Sequence, residues 1–446
     1  MRSTTLDMTK GSPWKLIAGF ALPVLLSQIF QQLYNTADTL IVGRYLGDEA
    51  LAAVSSSGPL IFLLISFFEG LTMGASVTIS RYFGAGDHDR VQRAIHTNIL
   101  VSTCSGIFLT GFGIIMTPQI LRWMGTDPEV LPDAISYFRY YFTGVLAVVL
   151  YNACKSIMNA LGDSRRPLYY LILSSLTNIV LDLLFIAVFR WGVWSAALAT
   201  TISQFVSTVL CILRLMRSGE GYKLRLREVR LQPAMLREII RYGLPSGVQN
   251  SIIAFANVIV QSNINVFGPD TVAGCGTYSK LEGFAFLPIT CYTMALTTFV
   301  SQNLGARQYH RAKKGAVFGI LFGMITAEVT GLLIYFFIPY ALKIFGSTQE
   351  AVAYGTIHAH IVSLFFFLLA FSHCSAGVMR GCGYAVVPMA GMLLFWCGLR
   401  IVYVTTALRF FPVFQMISWA YPLTWGCSTI LFLIFLFKAD WQHHLD

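Results

Sequence analysis

Long apolar segments constrain the fold of this chain more than any other feature. They recur twelve times, and each is near or above the ~20 residues that a helix needs to cross a bilayer. We place them near residues 14–43, 50–80, 94–117, 134–160, 167–190, 192–216, 237–267, 271–302, 315–338, 355–380, 387–410 and 416–437. Only 12% of the residues are charged, compared with about 25% in soluble proteins. The sequence therefore predicts an all-α integral membrane protein with twelve transmembrane helices.

The basic residues indicate how these helices are oriented. Loops that follow even-numbered segments are rich in Lys and Arg, and the longest of them runs from Arg214 to Arg241. By the positive-inside rule, these loops and both termini lie in the cytoplasm. The net charge of +10 thus reflects membrane topology, and its spread over short loops speaks against nucleic-acid binding. The first apolar segment is too long for a cleavable signal, so we expect it to remain as an anchor.

The cysteines and histidines give no pattern of a redox or metal site. All nine cysteines lie in apolar segments, and no Cys-x-x-Cys pair occurs. We interpret them as buried thiols rather than disulfides or metal ligands. The histidines also lack the spacing of metal ligands. We expect no cofactor and no enzymatic activity.

An internal repeat divides the chain into two halves. A shift of 221 residues aligns Gly47 with Gly268 and Ser80 with Ser301 without a gap. Each half holds six spans, which predicts two parallel-repeat six-helix bundles related by an axis along the membrane normal. The predicted parts are a cytoplasmic tail over 1–13, an N-lobe over 14–216, a basic cytoplasmic linker over 217–236, a C-lobe over 237–438 and a cytoplasmic tail over 439–446.

Two acidic residues lie inside predicted spans of the first half. Asp38 is in the first span and Asp182 in the fifth, where Asn178 lies one helical turn away on the same face. An ionisable side chain in a bilayer costs roughly 2.5 to 3.5 kcal/mol, which makes it a functional-site hypothesis. From the rise of a helix, Asp38, Asp182 and Thr200 lie roughly 9, 12 and 13 Å below the outer surface. We therefore predict that these four residues form one site for H⁺ or Na⁺.

The second half does not keep these polar residues. Their counterparts under the repeat are Ile259 or Val260 for Asp38, Leu399 for Asn178, Tyr403 for Asp182 and Trp425 for Thr200. A scaffold that needed the acids for packing would keep them in both halves. We therefore interpret the four residues as functional.

A structural role is the alternative, in which Arg190 or Arg139 pairs with the acids. Without such a pair, two neighbouring carboxyl groups repel each other, which favours binding of a proton or a cation. Ligands that are all oxygen suit a hard cation such as Na⁺ and would not select a transition metal.

Further ionisable residues lie in predicted spans of the second half. Glu282 is near the bilayer midplane, where it either lines a substrate cavity or forms a structural pair. Arg400 and Glu328 are at similar depth, and we expect a buried pair between them. The residues selected as a substrate cavity are Tyr34, Asn35, Met73, Asn152, Glu282, Phe284, Tyr292 and Met294.

Several stretches together resemble the multidrug and toxic compound extrusion (MATE) family, nearest its DinF-type bacterial branch. They extend over nearly the whole chain: LYNTADT over 33–39, ALAAV over 50–54, NIVLD over 178–182, GVW with AALAT over 192–200, KLEGFAFLP over 280–288 and SQNLGA over 301–306. The resemblance implies a V-shaped pair of six-helix bundles in the bacterial cytoplasmic membrane. It implies export of amphipathic, often cationic compounds in exchange for H⁺ or Na⁺ by alternating access.

The resemblance also places the family's N-lobe cation site on Asp38, Asn178, Asp182 and Thr200. Members often have Pro after the fifth-helix Asp, where this chain has Leu183. The acid that some members carry on the tenth helix has no match here. We expect small organic substrates, contact with membrane lipid, no nucleic-acid partner and a monomer.

A flippase for lipid-linked saccharide precursors is the alternative function within the same superfamily. It requires cationic residues that bind a pyrophosphate group. Arg400 and Lys155 are the candidates for that role.

Overall fold

The computed structural model consists of helices joined by short turns. It describes residues 6–123, 125–219, 222–344 and 348–439, and within α2 it describes the backbone but not the side chains of 48–49, 51–52 and 55–65. The helices are α1 (Pro13–Leu46), α2 (Asp48–Gly84), α3 (His88–Trp123), α4 (Leu131–Ala160), α5 (Arg165–Val188), α6 (Trp194–Met216), α7 (Pro233–Asn265), α8 (Pro269–Gly305), α9 (Tyr309–Ile344), α10 (Gln349–Ser363), α11 (Phe366–Gly381), α12 (Val386–Phe410) and α13 (Gln415–Lys438). A 3-10 turn, Leu226–Glu228, lies between α6 and α7.

The helices confirm the all-α membrane class. Ten of them are long and apolar enough to cross a membrane, and α10 with α11, bent by 53°, forms an eleventh candidate span. The 37-residue α2 occupies the place of the second predicted span, but the described residues alone do not reach the predicted count of twelve. Helices are favoured because a bilayer offers no partners to backbone N–H and C=O groups.

The helices divide into two compact units. The first comprises Met1–Asp7 and Leu26–Gly243, and the second comprises Met8–Leu25 and Leu244–Asp446. Each unit has its own buried core, with Phe138 fully buried in the first and Phe299 in the second. The start of α1 therefore belongs to the second unit and the start of α7 to the first, whereas the sequence assigned each of these helices to one lobe.

The internal repeat is visible in single hydrogen bonds. In the first unit, the hydroxyl of Ser80 donates to the carbonyl oxygen of Ala160 at 3.1 Å. In the second unit, Ser301 donates to Gly381 at 3.2 Å. Both partners differ by 221 residues, which is the shift found in the sequence. The same contact between two helices therefore holds each unit together.

The bend between α10 and α11 corrects one expectation about Glu328. Its Oε2 accepts the backbone N–H of Phe367 at 3.0 Å, and that N–H is among the first donors of α11, which lack partners inside the helix. Among the described residues, Arg400 forms no salt bridge, and it donates to Thr424 instead. The expected pair between Arg400 and Glu328 is therefore wrong, because Glu328 caps a helix end.

A left-handed backbone conformation also recurs under the repeat. Gly86, in the turn between α2 and α3, has φ 72°, and its counterpart Arg307, between α8 and α9, has φ 57°. A residue with a Cβ atom is strained in this region, at a cost of about 1–2 kcal/mol, because the Cβ approaches a carbonyl oxygen. The first half has glycine at this turn, which avoids the strain, whereas the second half has arginine and is strained there.

We expect Arg307→Gly to stabilise the protein by roughly 1 kcal/mol, because glycine adopts this conformation without the Cβ clash. Thermal unfolding of the purified protein measures the change, and the midpoint should rise by about 1 °C. Gly86→Ala is the reciprocal control and should lower the midpoint. Arg307→Ala removes the same side chain but keeps the Cβ, so it should not reproduce the gain. A midpoint for Arg307→Gly at or below that of Arg307→Ala would contradict the prediction.

Candidate functional site

Two carboxyl groups face each other inside the first unit. Asp38 on α1 and Asp182 on α5 lie within hydrogen-bonding reach of one another. Asp182 is 0% exposed, and in the described part of the chain neither of its oxygens accepts a hydrogen bond from a donor. Two adjacent carboxyl groups in an apolar environment do not both stay ionised unless a counter-ion is present. The pair can therefore share a proton or bind a cation.

Asn178 and Thr200 complete the group that the sequence selected. Asn178 is 1% exposed and lies one turn before Asp182 on α5, and its Nδ2 donates to Oγ1 of Thr200 on α6 at 3.4 Å. This bond leaves Oδ1 of Asn178 buried and, like Oδ1 of Asp38, without a donor in the described chain. Buried oxygen acceptors that lack donors are the chemistry that a proton or a hard cation requires.

No basic residue in the described part of the chain forms a salt bridge with this group. Among the residues that the structure describes, neither Arg190 nor Arg139 forms a salt bridge with Asp38 or Asp182. Arg190 instead lies in the turn that follows α5, with φ 56°. The structural alternative, in which an arginine pairs with the acids, is therefore not supported.

Two tyrosines lie near the acid pair, and a third tyrosine and a glutamine contact these two. The hydroxyl of Tyr34 lies close to both carboxyl groups and within hydrogen-bonding reach of Gln204. Tyr137, 5% exposed, lies near the acids, and its ring stacks on Tyr141 at 6.4 Å. The sequence analysis selected only Tyr34. Helical spacing could have indicated the others, because Gln204 follows Thr200 by one turn and Tyr141 follows Tyr137 by one turn.

The backbone of α5 changes directly after Asp182. Leu183–Val188 forms a π-helical segment, a rare conformation that is frequent at functional sites. It begins at Leu183, where the resemblance leads one to expect a proline. The wider turn of the π-helix thus directly follows the acid, in a chain that lacks that proline.

The eight residues selected for a substrate cavity lie on four helices. In the first unit, Asn152 is buried on α4 and Asn35 is exposed on α1, with Tyr34 on α1 and Met73 on α2 partly buried. In the second unit, all four lie on α8: Glu282 is partly buried, Phe284 is 47% exposed, Tyr292 packs on Phe322, and Met294 packs against the core. Their part in substrate binding stays a prediction.

Comparison with known proteins gives matches over both halves of the chain. The family model described as MatE matches residues 23–184 and 245–406. The probable multidrug resistance protein YoeA of Bacillus subtilis is 29% identical over 392 residues, which cover 86% of this chain and 84% of YoeA. The probable multidrug resistance protein NorM of Thermotoga maritima is 24% identical and covers 84% of this chain and 81% of its own length.

A solved structure shows the same fold. A MOP superfamily transporter from Pyrococcus furiosus superimposes with a TM-score of 0.90 at 22% identity, and the match covers 98% of both chains.

We expect Asp182→Asn to raise the thermal unfolding midpoint at neutral and alkaline pH. The amide removes a buried negative charge and can donate to Asp38, and a hydrogen bond to a charged group contributes about 1.5–3 kcal/mol. The gain should vanish in acid, where the wild-type pair is protonated. Asp163→Asn is the matched control, because Asp163 is also buried but forms a salt bridge with Arg166. That variant should lose stability, and a similar loss in Asp182→Asn would contradict an unneutralised acid pair.

Proposed function

The chain belongs to the MATE family of transporters, and from this premise we propose that it exports amphipathic, often cationic compounds in exchange for H⁺ or Na⁺. The observation that carries the proposal is the pair of carboxyl groups, the partly buried Asp38 and the fully buried Asp182, with no basic partner in the described chain. The names of the relatives, multidrug resistance proteins, support the substrate class. The basic loops support a bacterial cytoplasmic membrane location with both termini in the cytoplasm.

In this proposal the acid pair senses the ion gradient. With the site empty and ionised, repulsion between Asp38 and Asp182 disfavours the arrangement in which the two groups face each other. Binding of H⁺ or Na⁺ from outside removes that repulsion and stabilises it. The ion and the exported compound are coupled if each favours a different state of the transporter. When the ion is bound, the compound is released outside. When the ion has left, the carrier returns to the state that binds the compound.

The neighbouring residues have separate parts in this step. Asn178 and Thr200 provide neutral oxygen atoms beside the carboxyl groups, which matters for a metal cation and less for a proton. Tyr34 and Tyr137 cover the pair with aromatic rings and keep water from screening its charge. The π-helical segment after Asp182 gives α5 a place to change its turn when the charge changes.

The flippase alternative has little support from the residues chosen for it. Lys155 lies 3.7 Å from the carboxylate of Glu69, so its charge is already balanced. Arg400 forms no salt bridge in the described chain, but a single guanidinium does not balance the two or more negative charges of a pyrophosphate.

We expect Asp38→Asn and Asp182→Asn to abolish gradient-driven ethidium export. Everted vesicles are energised with either a proton or a sodium gradient, and the gradient that drives the wild type identifies the coupling ion. Either variant should lower the rate at least about tenfold, because a neutral amide cannot exchange the ion. Asp163→Asn, at comparable expression, controls for loss of a buried carboxyl group. Full export by both site variants would remove the coupling role of the pair.

We expect Thr200→Val to distinguish the two ions. Valine has the same shape but no oxygen, so sodium-driven export should fall about tenfold while proton-driven export stays within about twofold. Thr201→Val, the next residue, whose hydroxyl donates to Tyr140 rather than to the site, is the control. Equal losses under both gradients would mean that Thr200 acts in packing and not as an ion ligand.

A further inference from the structure

The second unit contains a buried positive charge that the coupling site does not use. Arg400 on α12 is 2% exposed. Its Nη2 donates to Oγ1 of Thr424 at 3.1 Å, whereas its Nε is buried without an acceptor. In the described chain no carboxylate forms a salt bridge with it. A guanidinium carries five N–H donors and keeps its charge in proteins, so this group lacks partners that a buried cation needs.

Aromatic rings hold the guanidinium in place. Its Cζ lies 4.5 Å from the ring centre of Tyr421 and 5.7 Å from that of Trp396. Contacts of this kind stabilise the charge of an arginine without occupying the donors at its edge. A planar guanidinium with free donors fits the two oxygens of a carboxylate better than any other side chain does. Arg400 is therefore arranged as a receptor for an anionic group.

A negative charge lies beside this receptor. Glu282 on α8 is partly exposed and near enough to Arg400 for their charges to interact, although the two form no salt bridge in the described chain. Glu282 is within hydrogen-bonding reach of Tyr278, whose ring meets His358 at 5.0 Å, and Nδ1 of His358 bonds to Ser418 at 2.8 Å. The ring of His358 also meets that of Tyr421 at 5.6 Å, so a continuous cluster of rings joins Glu282 to the tyrosine that contacts Arg400.

A π-helical segment adjoins both charged positions, after the acid in the first unit and before the arginine in the second. In the first unit, Asp182 directly precedes the π-helical segment Leu183–Val188. In the second unit, the π-helical segment Leu393–Leu399 directly precedes Arg400. These two helices correspond under the repeat, since Arg400 aligns with Ile179. Each half therefore has an irregular turn next to a buried ionisable residue, and the two residues have opposite charge.

We propose that Arg400 and Glu282 form a substrate subsite that selects amphipathic compounds with a carboxylate group. The carboxylate binds to the free N–H donors of Arg400, and a cationic group of the same compound lies next to Glu282. A compound that is only cationic uses Glu282 alone. The subsite rests on the export function proposed above and names the substrate class, zwitterions, that the function favours.

Binding of two dyes that differ in one group tests this subsite. Tetramethylrhodamine has a carboxylate and a delocalised cation, and its methyl ester has the cation alone. Fluorescence anisotropy of each dye with the purified full-length protein gives two dissociation constants for each variant, without any ion gradient. The quantity compared is the ratio of the two constants, because damage to the fold weakens both dyes alike.

The two charge-removing variants should shift this ratio in opposite directions. Arg400→Gln should weaken the carboxylate dye about tenfold relative to the ester, because a charge-assisted hydrogen bond is lost. Glu282→Gln should shift the ratio the other way, towards the carboxylate dye. Arg400→Lys should recover part of the preference, and Arg409→Gln, exposed on the same helix, should leave it unchanged.

Several results would overturn the subsite. One is that the wild type does not bind the carboxylate dye. Another is that Arg400→Gln and Glu282→Gln each weaken the binding of the two dyes in parallel. A third is that neither variant changes the ratio of the dissociation constants. If Arg400→Gln does not fold, Glu282→Gln and Arg400→Lys decide the question, since each must shift the ratio. If the variants shift the ratio of the dissociation constants but neither dye is exported under a gradient, the export function is contradicted and the subsite is supported. If a gradient drives export but the ratio does not change in the variants, the subsite is contradicted and the export function is supported.

Discussion

The free energy of keeping an ionisable group away from water governs the functional parts of this protein. Such a group costs roughly 2.5 to 3.5 kcal/mol in a bilayer span, and a counter-charge within the protein usually offsets the cost. The pair of Asp38 and Asp182 has no such counter-charge among the described residues, and Arg400 forms no salt bridge with any of them. In the proposed function, the bound ion supplies the missing charge at the acid pair, and the exported compound supplies it at Arg400. This is the property that a carrier of ions and organic compounds requires.

Duplication explains how the protein could acquire such groups without losing its fold. The hydrogen bonds of Ser80 and Ser301 are equivalent in the two halves, so the contacts that hold each unit together stayed the same. The side chains next to the π-helical segments did not. Asp182 has a tyrosine as its counterpart, and Arg400 corresponds to an isoleucine. Packing needs the same shape in both halves, whereas coupling and substrate selection need different charges.

Errors of the sequence analysis arose where a choice between partners depended on three-dimensional packing. Glu328 was expected to pair with Arg400 because both lie at similar depth. Depth along a helix does not define the face that a side chain occupies, and Glu328 instead caps α11 at Phe367. The predicted lobes over 14–216 and 237–438 stay a prediction, and the compact units divide α1 and α7 within each helix. A boundary between compact units can fall inside a continuous helix, where the sequence shows no break.

The sequence by itself determined the helical membrane class, the repeat and the residues that carry buried charge, because hydropathy, spacing and residue type are local properties of the chain. It also predicted that Asp38, Asp182 and Thr200 lie at one level and that Asn178 shares a helix face with Asp182, since the rise and pitch of a helix are fixed. Only the tertiary structure decided that the two carboxyl groups face each other with no arginine of the described chain paired to them, that Tyr34 and Tyr137 lie near them, and that the charge of Glu282 lies near Arg400. Such contacts depend on the rotation of each helix about its axis, which is set by packing against its neighbours and is not encoded in any single segment.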